Sequence, residues 1–269
     1  MNTSQRSNSR YDEWLAFAVR TAKQAGAIQL SYFRSGDLSI RTKSNVFDVV
    51  TRADKESEAQ IVQAIAASYP DHAVLGEEGG DQGRTESEWR WVVDPLDGTT
   101  NYSQGLPVFC VSIALQHRGE TVVGVVYAPY LRELFTAVKN GGAFLQVADG
   151  EPRSLHVGPK RTLDSAVIAT GFPYDKAVNP DNNSDNLARI LPHVRGIRRM
   201  GAAAYDISCV AAGLLDGFWE LGLHEWDVCA ANLLVTEAGG VVRVLRPDRG
   251  VSIVAGNADL VDQIVRYVR

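Results

Sequence analysis

The sequence predicts an α+β fold in which helices and sheets form mixed layers. Apolar residues recur at three- and four-residue intervals from Leu15 to Tyr32, the pattern of one face of an amphipathic helix. Strand-like runs separated by short turns follow between residues 108 and 145 and indicate an antiparallel meander. After residue 166, strand-like and helical segments alternate up to the C-terminus. An antiparallel meander followed by such an alternating half is typical of mixed α and β layers.

Composition bounds the possible functions. The chain has 269 residues, of which 45% are hydrophobic and 22% charged, as in ordinary globular proteins. Its net charge of -5 argues against general nucleic-acid binding, and we interpret the basic run at residues 195–199 as a partly solvated strand end. Cys110, Cys209 and Cys229 lie in apolar runs without metal-ligand spacing, which favours buried free thiols in a reducing cytoplasm.

The chain is expected to form one main unit behind a short tail. Residues 1–10 are polar and have no apolar core, so we expect a disordered tail that is neither a signal peptide nor a membrane span. Residues 11–269 are expected to be a single unit with an N-terminal α+β half (about 11–150) and a C-terminal α/β half (about 151–269). No run of 18 uninterrupted apolar residues occurs, so we expect no transmembrane helix and a cytoplasmic location.

In the first half, a helix ending near Gly36 is followed by an extended segment over residues 43–50. Thr51 and Asp54 have the Thr-x-x-Asp spacing of a capping box ahead of a helix over residues 56–69, and this role alone explains Asp54. The sequence then predicts a short strand at residues 73–75, a polar loop at 81–88 and a buried strand at 89–93. The four strands of the meander are predicted at residues 108–117, 121–127, 133–138 and 143–145.

In the second half, strands and helices alternate, and glycines close several of the helices. Strands are predicted at residues 166–170, 196–200, 217–221, 241–245 and 251–254. Helices are predicted for a segment reaching Leu191 and for residues 202–212, 226–238 and 258–268.

The stretch from Asp94 to Asn101 carries the strongest signs of chemistry. Asp94 is expected to be the last residue of a buried strand, and Gly98 to open a helix whose free backbone N–H groups suit a phosphate. Asp94 and Asp97 beside a phosphate would need cations between them, and hard oxygen ligands favour Mg²⁺, Mn²⁺ or Ca²⁺. Asp-Pro and Asp-Gly pairs are also common in surface turns, so the stretch alone admits a structural interpretation.

Other acidic residues have similar alternatives. Glu77 and Glu78 lie in a glycine-bounded loop at a strand exit, where ligands collect in α/β layouts, although they could also be solvated surface. Asp227 stands at a predicted helix start, where an acidic residue favours the positive end of the helix dipole. His224 and Glu225 beside it suggest a metal ligand set, but a lone histidine there is more often structural.

Three ordered blocks together resemble the signature of the inositol monophosphatase family. They are Gly76-Glu77-Glu78, the run Asp94-Pro95-Leu96-Asp97-Gly98-Thr99-Thr100-Asn101, and Trp226-Asp227 followed by Glu237-Ala238-Gly239-Gly240. The resemblance extends from about Trp14 to the C-terminus, and three well-separated motifs are far more specific than one. It implies a layered αβαβα sandwich of the sugar-phosphatase type, a homodimer and inhibition by Li⁺.

The resemblance also implies a metal site and an activity. Glu77, Asp94, Asp97 and Asp227 would be Mg²⁺ ligands, together with the backbone carbonyl of Leu96. Two or three Mg²⁺ ions would neutralise the phosphate, activate water and stabilise the leaving alkoxide. The implied activity is hydrolysis of a phosphate monoester, myo-inositol 1-phosphate, by direct attack of water without a covalent enzyme intermediate.

The family pattern assigns further roles on both sides of the scissile bond. Thr99, paired with Asp54, would orient the attacking water, with Glu77 as the base, and the N–H groups of Gly98 and Thr99 would hold the phosphate. On the alcohol side the resemblance implies contacts from Asp97, Asp227 and Glu220 and from the backbone of Ala202 and Ala203. Lys43 matches a lysine near the family's mobile metal loop, many members have Ser or Thr in place of Ala202, and Gly171-Phe172-Pro173-Tyr174 resembles the bacterial branch.

Parts of this pattern also occur in other protein families. The Asp-Gly-Thr segment is also similar to a segment of haloacid dehalogenase phosphatases. In those enzymes the second aspartate stands two positions after the first, whereas Asp97 stands three positions after Asp94. Actin-like sugar kinases share part of the segment but have a second phosphate loop that this chain lacks. Within the family, histidinol phosphate or a 3′-phosphonucleotide could be the substrate instead. A mainly interaction or regulatory role on the same fold remains an alternative from another class.

Overall fold

The computed structural model describes residues 3–36 and 38–269 of the chain. The helices are α1 (Thr3–Tyr32), α2 (Arg52–Ser68), α3 (Thr99–Ser103), α4 (Ser184–Ile190), α5 (Ala203–Ala211), α6 (Glu225–Glu237) and α7 (Ala258–Ile264). Short 3₁₀ helices lie at Leu163–Ser165 and Leu191–His193. In the described part of the chain, no helix is both long and apolar enough to span a membrane.

The strands of the first half are β1 (Arg41–Thr42), β2 (Val49–Val50), β3 (Ala73–Gly76), β4 (Gly80–Gly83), β5 (Trp89–Asp97), β6 (Cys110–His117), β7 (Glu120–Ala128), β8 (Glu133–Val138), β9 (Gly142–Val147) and β10 (Arg153–Ser154). Those of the second half are β11 (Val167–Thr170), β12 (Gly196–Arg198), β13 (Gly217–Leu223), β14 (Val241–Arg246) and β15 (Val251–Gly256).

Two large sheets organise the molecule. The first has the strand order β10-β9-β8-β7-β6-β5-β3-β4, and its antiparallel run from β6 to β9 confirms the predicted meander. The second has the order β12-β11-β13-β15-β14, and its antiparallel pair of β14 and β15 confirms the strands predicted at residues 241–245 and 251–254. A small ladder joins β1 to β2.

Helices cover both sheets and separate them. One apolar core joins α1 and α2 to the outer face of the first sheet, and a second joins its inner face to α5, α6 and the second sheet. A third core packs α7 and the end of α4 against the far face of the second sheet. The layers therefore run αβαβα, which confirms the predicted sandwich.

The middle of β5, from Trp91 to Val93, is apolar because both faces of the strand are covered. Trp91 and Val93 face the core beneath α1 and α2, whereas Val92 faces the core shared with α5 and α6. Successive side chains of a strand point to opposite faces, so a strand covered on both faces needs an uninterrupted apolar run. All three side chains are at most 1% exposed.

Three predicted elements differ in the structure. β5 continues to Asp97 instead of ending at Asp94, because its ladder with β6 shifts register between these residues and then resumes. β4 lies within the predicted polar loop, since an edge strand of sequence Gly-Asp-Gln-Gly has no apolar alternation to reveal it. Of the expected extended segment over residues 43–50, only β2 pairs as a strand, and its partner is β1.

The N-terminal segment also differs from the predicted disordered tail. Helix α1 begins at Thr3, so the described part of this segment, residues 3–10, is helical, and residues 1 and 2 lie outside the described residues. The segment contains neither glycine nor proline, and it continues a helix anchored by the buried Trp14 and Phe17. A packed helix can extend beyond its buried face where no residue breaks it.

Candidate active site

Acidic residues meet at one end of the first sheet. β3 and β5 are parallel neighbours in which Gly76 lies beside Val93, so the residues that follow each of them emerge together. The N–H of Glu77 donates to the carbonyl of Val93 across 3.2 Å, which places Glu77 directly beside Asp94. Glu77 and Asp94 therefore both lie at strand exits, as the sequence predicts.

A β-bulge places the second aspartate. Asp94 pairs with Ser112 and Asp97 with Cys110, so two residues of β5, Pro95 and Leu96, have no register partner on β6. The Leu96 N–H donates to Oδ1 of Asp94 at 2.9 Å and fixes its carboxylate. A bulge also accommodates a proline in a central strand, because the proline has no N–H to donate to a ladder.

Asp227 joins these residues from the opposite helix layer. It stands in the first turn of α6, where its Oδ2 accepts the N–H of His224 at 2.7 Å in a capping box. Burial raises the pKa of Asp94 well above its usual range, and the nearby charges of Glu77, Asp97 and Asp227 raise it further. The four carboxylates thus act on one another as a cluster.

A cavity with about 620 Å³ of empty space runs beside this cluster. Its lining comprises Lys43, Asp48, Glu77, Asp94, Leu96, Asp97, Gly98, Thr99, Tyr174, His224, Trp226 and Asp227. Every residue that the family resemblance assigns to the metal site therefore lines one cavity.

The cluster is electrostatically unfavourable without a cation. Burial, opposed by Lys43, raises the pKa of Glu77 to about 8, and burial together with the charge of Asp227 raises the pKa of Asp97 to about 7. Ordinary carboxyl groups titrate near pH ~4, so these groups favour either protons or a positive counter-charge.

Lys43 supplies part of that counter-charge. Its Nζ lies 2.7 Å from Oε1 of Glu77 and also contacts Glu78. Burial lowers the pKa of Lys43, but the two glutamates more than offset this effect and raise it overall. The sequence left a solvated lysine as one possibility, and the structure places Lys43 in contact with the acidic cluster.

The donor chemistry of the cluster fits a hard divalent cation. Carboxylate and carbonyl oxygens are the ligands that Mg²⁺ and Ca²⁺ prefer in proteins. Among residues 3–36 and 38–269, however, no three Asp, Glu, His or Cys side chains lie close enough together to hold one ion as they stand. The residues fit such an ion in type and in charge.

Thr99 and Asp54 form a buried pair beside the cluster. Oγ1 of Thr99 lies 2.9 Å from Oδ1 of Asp54 and 3.0 Å from the carbonyl of Leu96, and it can donate to either. Oδ2 of Asp54 accepts the N–H and the hydroxyl of Thr51, as the predicted capping box requires. Asp54 is therefore both a helix cap and the partner of Thr99, two roles that the sequence could not place together.

Gly98 takes a backbone conformation that favours glycine. Its φ is 91°, and a Cβ there would lie 2.9 Å from the carbonyl oxygen of Val108. Gly98 precedes the short helix α3, which begins at Thr99 as the sequence predicts. Gly98 and Thr99, at the start of α3, line the cavity beside the acidic cluster and a second cavity that adjoins it.

A second cavity, with about 690 Å³ of empty space, adjoins the first. The residues that line both cavities are Asp97, Gly98, Thr99, Tyr174, His224 and Asp227. Glu220 lines the second cavity from β13, and burial raises its pKa well above the usual range. The structure thus places Glu220 within the same connected site as the acidic cluster.

The two alanines assigned to the alcohol side differ from each other. The N–H groups of Ala203 and Ala204 donate to Asp97 at 3.2 and 2.7 Å, so the start of α5 fixes that carboxylate. Ala203 lines the second cavity. Ala202 is 2% exposed and is outside the set of described residues that line it, so the structure brings only Ala203 to the cavity wall.

Sequence reasoning missed two residues of this cavity, Arg199 and Asp206. Arg199 belongs to the basic run that was interpreted as a solvated strand end, and it follows β12 directly. Asp206 lies in α5, where the sequence predicts a helix over residues 202–212 and assigns no role to this aspartate. A single aspartate in an otherwise apolar helix was the available signal, because an unpaired buried charge is costly without a function.

We predict that Gly171→Ala displaces Glu220 and destabilises the protein. A Cβ at Gly171 would lie 2.0 Å from Oε1 and 2.2 Å from Cδ of Glu220, far inside contact distance. Overpacking of this kind lowers the free energy of unfolding by about 1–3 kcal/mol, which chemical denaturation measures. Combining it with Glu220→Ala removes the clash, so the double variant should lose less stability than the sum of the two. Additive losses would contradict the contact.

We also predict that the stability of the metal-free protein falls as pH rises. The pKa of Glu77 is about 8 and that of Asp97 about 7, so the folded state binds more protons than the unfolded chain above pH ~4. The free energy of unfolding in a chelator should therefore decrease from pH ~5 to pH ~8, and added Mg²⁺ should reduce the decrease. Glu77→Gln should flatten the profile, and an unchanged slope in that variant would contradict the assignment.

Comparisons with known proteins agree with this architecture. The family model described as the inositol monophosphatase family matches residues 10–263. A protein named Nus factor SuhB from Pasteurella multocida is 44% identical over 229 residues, covering 85% of this chain and 84% of the relative. An inositol-1-monophosphatase from Synechocystis is 40% identical over 236 residues, covering 88% and 80%.

A solved structure gives the same result in three dimensions. The inositol monophosphatase from Anabaena (Nostoc) superposes with a TM-score of 0.84 at 35% identity, covering 95% of each chain. A match of the family model over nearly the whole chain, relatives near 40% identity and this common fold lead to one conclusion. This protein is a member of the inositol monophosphatase family, a family of phosphatases.

Proposed function

We propose that this protein hydrolyses myo-inositol 1-phosphate to inositol and phosphate in a Mg²⁺-dependent reaction. The observation that best supports this is the pair of adjoining cavities, one lined by the acidic cluster and one reaching Glu220, that share Asp97, Gly98, Thr99 and Asp227. A phosphate at the shared residues would have metal ligands on one side and space for an alcohol on the other. Homodimer formation and Li⁺ inhibition belong to the same proposal.

The acidic cluster would hold Mg²⁺. Its ligands would be Glu77, Asp94, Asp97, Asp227 and the Leu96 carbonyl, for two or three ions. When bound, Mg²⁺ supplies neutralisation of the phosphate charge, activation of water and stabilisation of the leaving alkoxide. Lys43, which balances part of the cluster charge through Glu77 and Glu78, would have to yield its contact with Glu77 as that carboxylate becomes a ligand.

Thr99 and Asp54 would orient the attacking water. The Thr99 hydroxyl donates its proton to Asp54 or Leu96, so its lone pairs remain available to accept a hydrogen bond from water. Asp54 is fully buried and held by Thr51, which fixes the direction of that hydroxyl. Glu77, which emerges beside Asp94 at the edge of the first sheet, would accept the proton that the water loses.

Backbone groups would bind the phosphate and the alcohol. The N–H groups of Gly98 and Thr99 would donate to phosphate oxygens at the start of α3. On the alcohol side, Glu220 and Asp97 would accept hydrogen bonds from ring hydroxyls, with Asp227 and Ala203 alongside. The backbone of Ala202, the N-cap residue of α5, would lie alongside the alcohol.

The substrate assignment is tested by phosphate release with Mg²⁺ from a matched panel. The panel contains inositol 1-phosphate, histidinol phosphate, fructose 1,6-bisphosphate and 3′-phosphoadenosine 5′-phosphate, with Asp94→Asn as the blank. A clear preference for inositol 1-phosphate is expected. Preference for histidinol phosphate or the 3′-phosphonucleotide would keep the metal chemistry and replace the substrate.

A second candidate function is an interaction or regulatory role on the same fold. The specific observation in its favour is that the Pasteurella multocida relative carries the name Nus factor. The two functions can be distinguished by replacing the wild-type protein with Asp94→Asn in a cell that depends on it. If Asp94→Asn abolishes both phosphate release and the cellular role, the result supports catalysis. If it abolishes phosphate release but leaves the cellular role intact, the result supports the interaction role.

A further inference from the structure

Asp206 has an unexplained oxygen beside the alcohol cavity. Its side chain lines that cavity and is only 2% exposed, and Oδ1 has no hydrogen-bond partner among the described residues. Burial raises the pKa of Asp206, and the nearby backbone N–H groups of Met200 and Gly201 only partly offset this effect. A buried polar atom without a partner is costly, and such atoms in folded proteins often mark a function.

Arg199 lines the same cavity as Asp206, and its side chain is partly open to solvent. A Cβ on Gly201 would lie 2.6 Å from Nη1 of Arg199, so the guanidinium lies against the backbone of Gly201. Its charge stabilises the ionised forms of Asp206 and Glu220, yet in the described part of the chain it makes no ion pair within 4.0 Å. The cation and the two acids therefore face one cavity without closing on one another.

We infer that Asp206 and Arg199 form a polyol subsite that binds a ring hydroxyl of the substrate in the cavity that they line together with Glu220. A hydroxyl can donate to Oδ1 of Asp206 and accept from Arg199 at the same time, which neither a purely anionic nor a purely apolar group can do. The inference rests on the proposed phosphatase function and names two specificity-determining residues for it.

The charges around the subsite also select against other ligands. A second phosphate near Arg199 would lie close to the carboxylates of Asp206 and Glu220, which repel it. An ammonium group would be attracted by these acids but repelled by Arg199. A neutral polyol is the class of leaving group that satisfies all three side chains.

A substrate-and-enzyme double cycle tests the inference. KM and kcat are measured with Mg²⁺ for inositol 1-phosphate, for its analogues that each lack one ring hydroxyl, and for p-nitrophenyl phosphate. The enzymes are the wild type, Asp206→Ala, Asp206→Asn and Arg199→Gln. Arg198→Gln is the matched control, because Arg198 neighbours Arg199 but bonds to the carbonyl of Ile197 and lies outside the described lining of the cavity.

For inositol 1-phosphate we expect each Asp206 variant and Arg199→Gln to raise KM on the order of 10-fold, the value of one hydrogen bond to a charged group, with a smaller change in kcat. With the wild type, removal of one particular ring hydroxyl from the substrate should raise KM by a similar factor. For that analogue, Asp206→Ala should raise KM almost no further. p-Nitrophenyl phosphate, which has no ring hydroxyl, should be affected much less. Arg198→Gln should match the wild type.

The melting temperature distinguishes a role in substrate binding from a structural role, because loss of a structural contact would lower it. If Oδ1 serves only the substrate, Asp206→Asn should leave the melting temperature unchanged or higher, because it removes a buried charge without losing a bond at that atom. Equal losses on inositol 1-phosphate and p-nitrophenyl phosphate, or strictly additive losses in the cycle, would overturn the subsite while leaving the proposed function. A wild type that hydrolyses p-nitrophenyl phosphate but no inositol phosphate would overturn both.

Discussion

Replacing Asp94 by Asn is expected to lower phosphate release about 10³-fold, because several kcal/mol of metal-derived stabilisation of the transition state depend on this ligand. Asp94 is 2% exposed, lies among Glu77, Asp97 and Asp227, and is fixed by the Leu96 N–H. Asn has nearly the same shape but lacks the negative charge. The measurement is kcat/KM for inositol 1-phosphate as a function of Mg²⁺ concentration.

Stability separates this loss of function from misfolding. The pKa of Asp94 is raised well above its usual range, so the metal-free protein should melt no lower with Asn at this position than with Asp. Asp71→Asn is the matched control, since the Asp71 side chain is 81% exposed at the opposite end of β3. Asp94→Asn with near-normal turnover would show that the acidic cluster does not carry the chemistry.

Thr99→Ala is expected to lower kcat on the order of 10²-fold, the usual size of the effect of a group that positions the reacting proton. The Mg²⁺ concentration for half-maximal activity should change much less, because Thr99 is assigned to the water and not to the metal. The variant also leaves Oδ1 of Asp54, fully buried, without its donor, which should lower the free energy of unfolding by about 1–3 kcal/mol.

Thr99→Ser distinguishes the chemical from the structural contribution of Thr99. Serine keeps the hydroxyl bond to Asp54 and should recover most of the turnover, whereas Thr99→Val keeps the shape and should not. Equal losses of turnover and Mg²⁺ affinity in Thr99→Ala would place Thr99 in a structural role. Turnover in Thr99→Val close to the wild-type value would exclude it from orienting the water.

The fold and the acidic cluster could be predicted because their signals are local. The apolar run of β5 requires cover on both faces, and a parallel neighbour such as β3 delivers its next residue, Glu77, to the same edge. The Thr-x-x-Asp spacing predicted the cap at Thr51 and Asp54. These features need only the strand period and the chemistry of helix termini.

The rest of the site depends on contacts between distant segments. Thr99 reaches Asp54 across 45 residues, and the Asp97 carboxylate is fixed by the start of α5 more than 100 residues later. The bulge that carries Asp97 requires the register of β6, which the sequence of β5 does not contain. Arg199 and Asp206 could not be predicted for the same reason, because only the folded structure shows that they line one cavity with Glu220.

The central claim is tested most directly by removing divalent cations and measuring phosphate release from inositol 1-phosphate. The four carboxylates, with the pKa of Glu77 at about 8 and that of Asp97 at about 7, must be neutralised before an anionic substrate can approach. Exhaustive chelation should therefore abolish release, and Mg²⁺ added back should restore it in the wild type but not in Asp94→Asn. Undiminished release after complete removal of divalent cations would contradict the account.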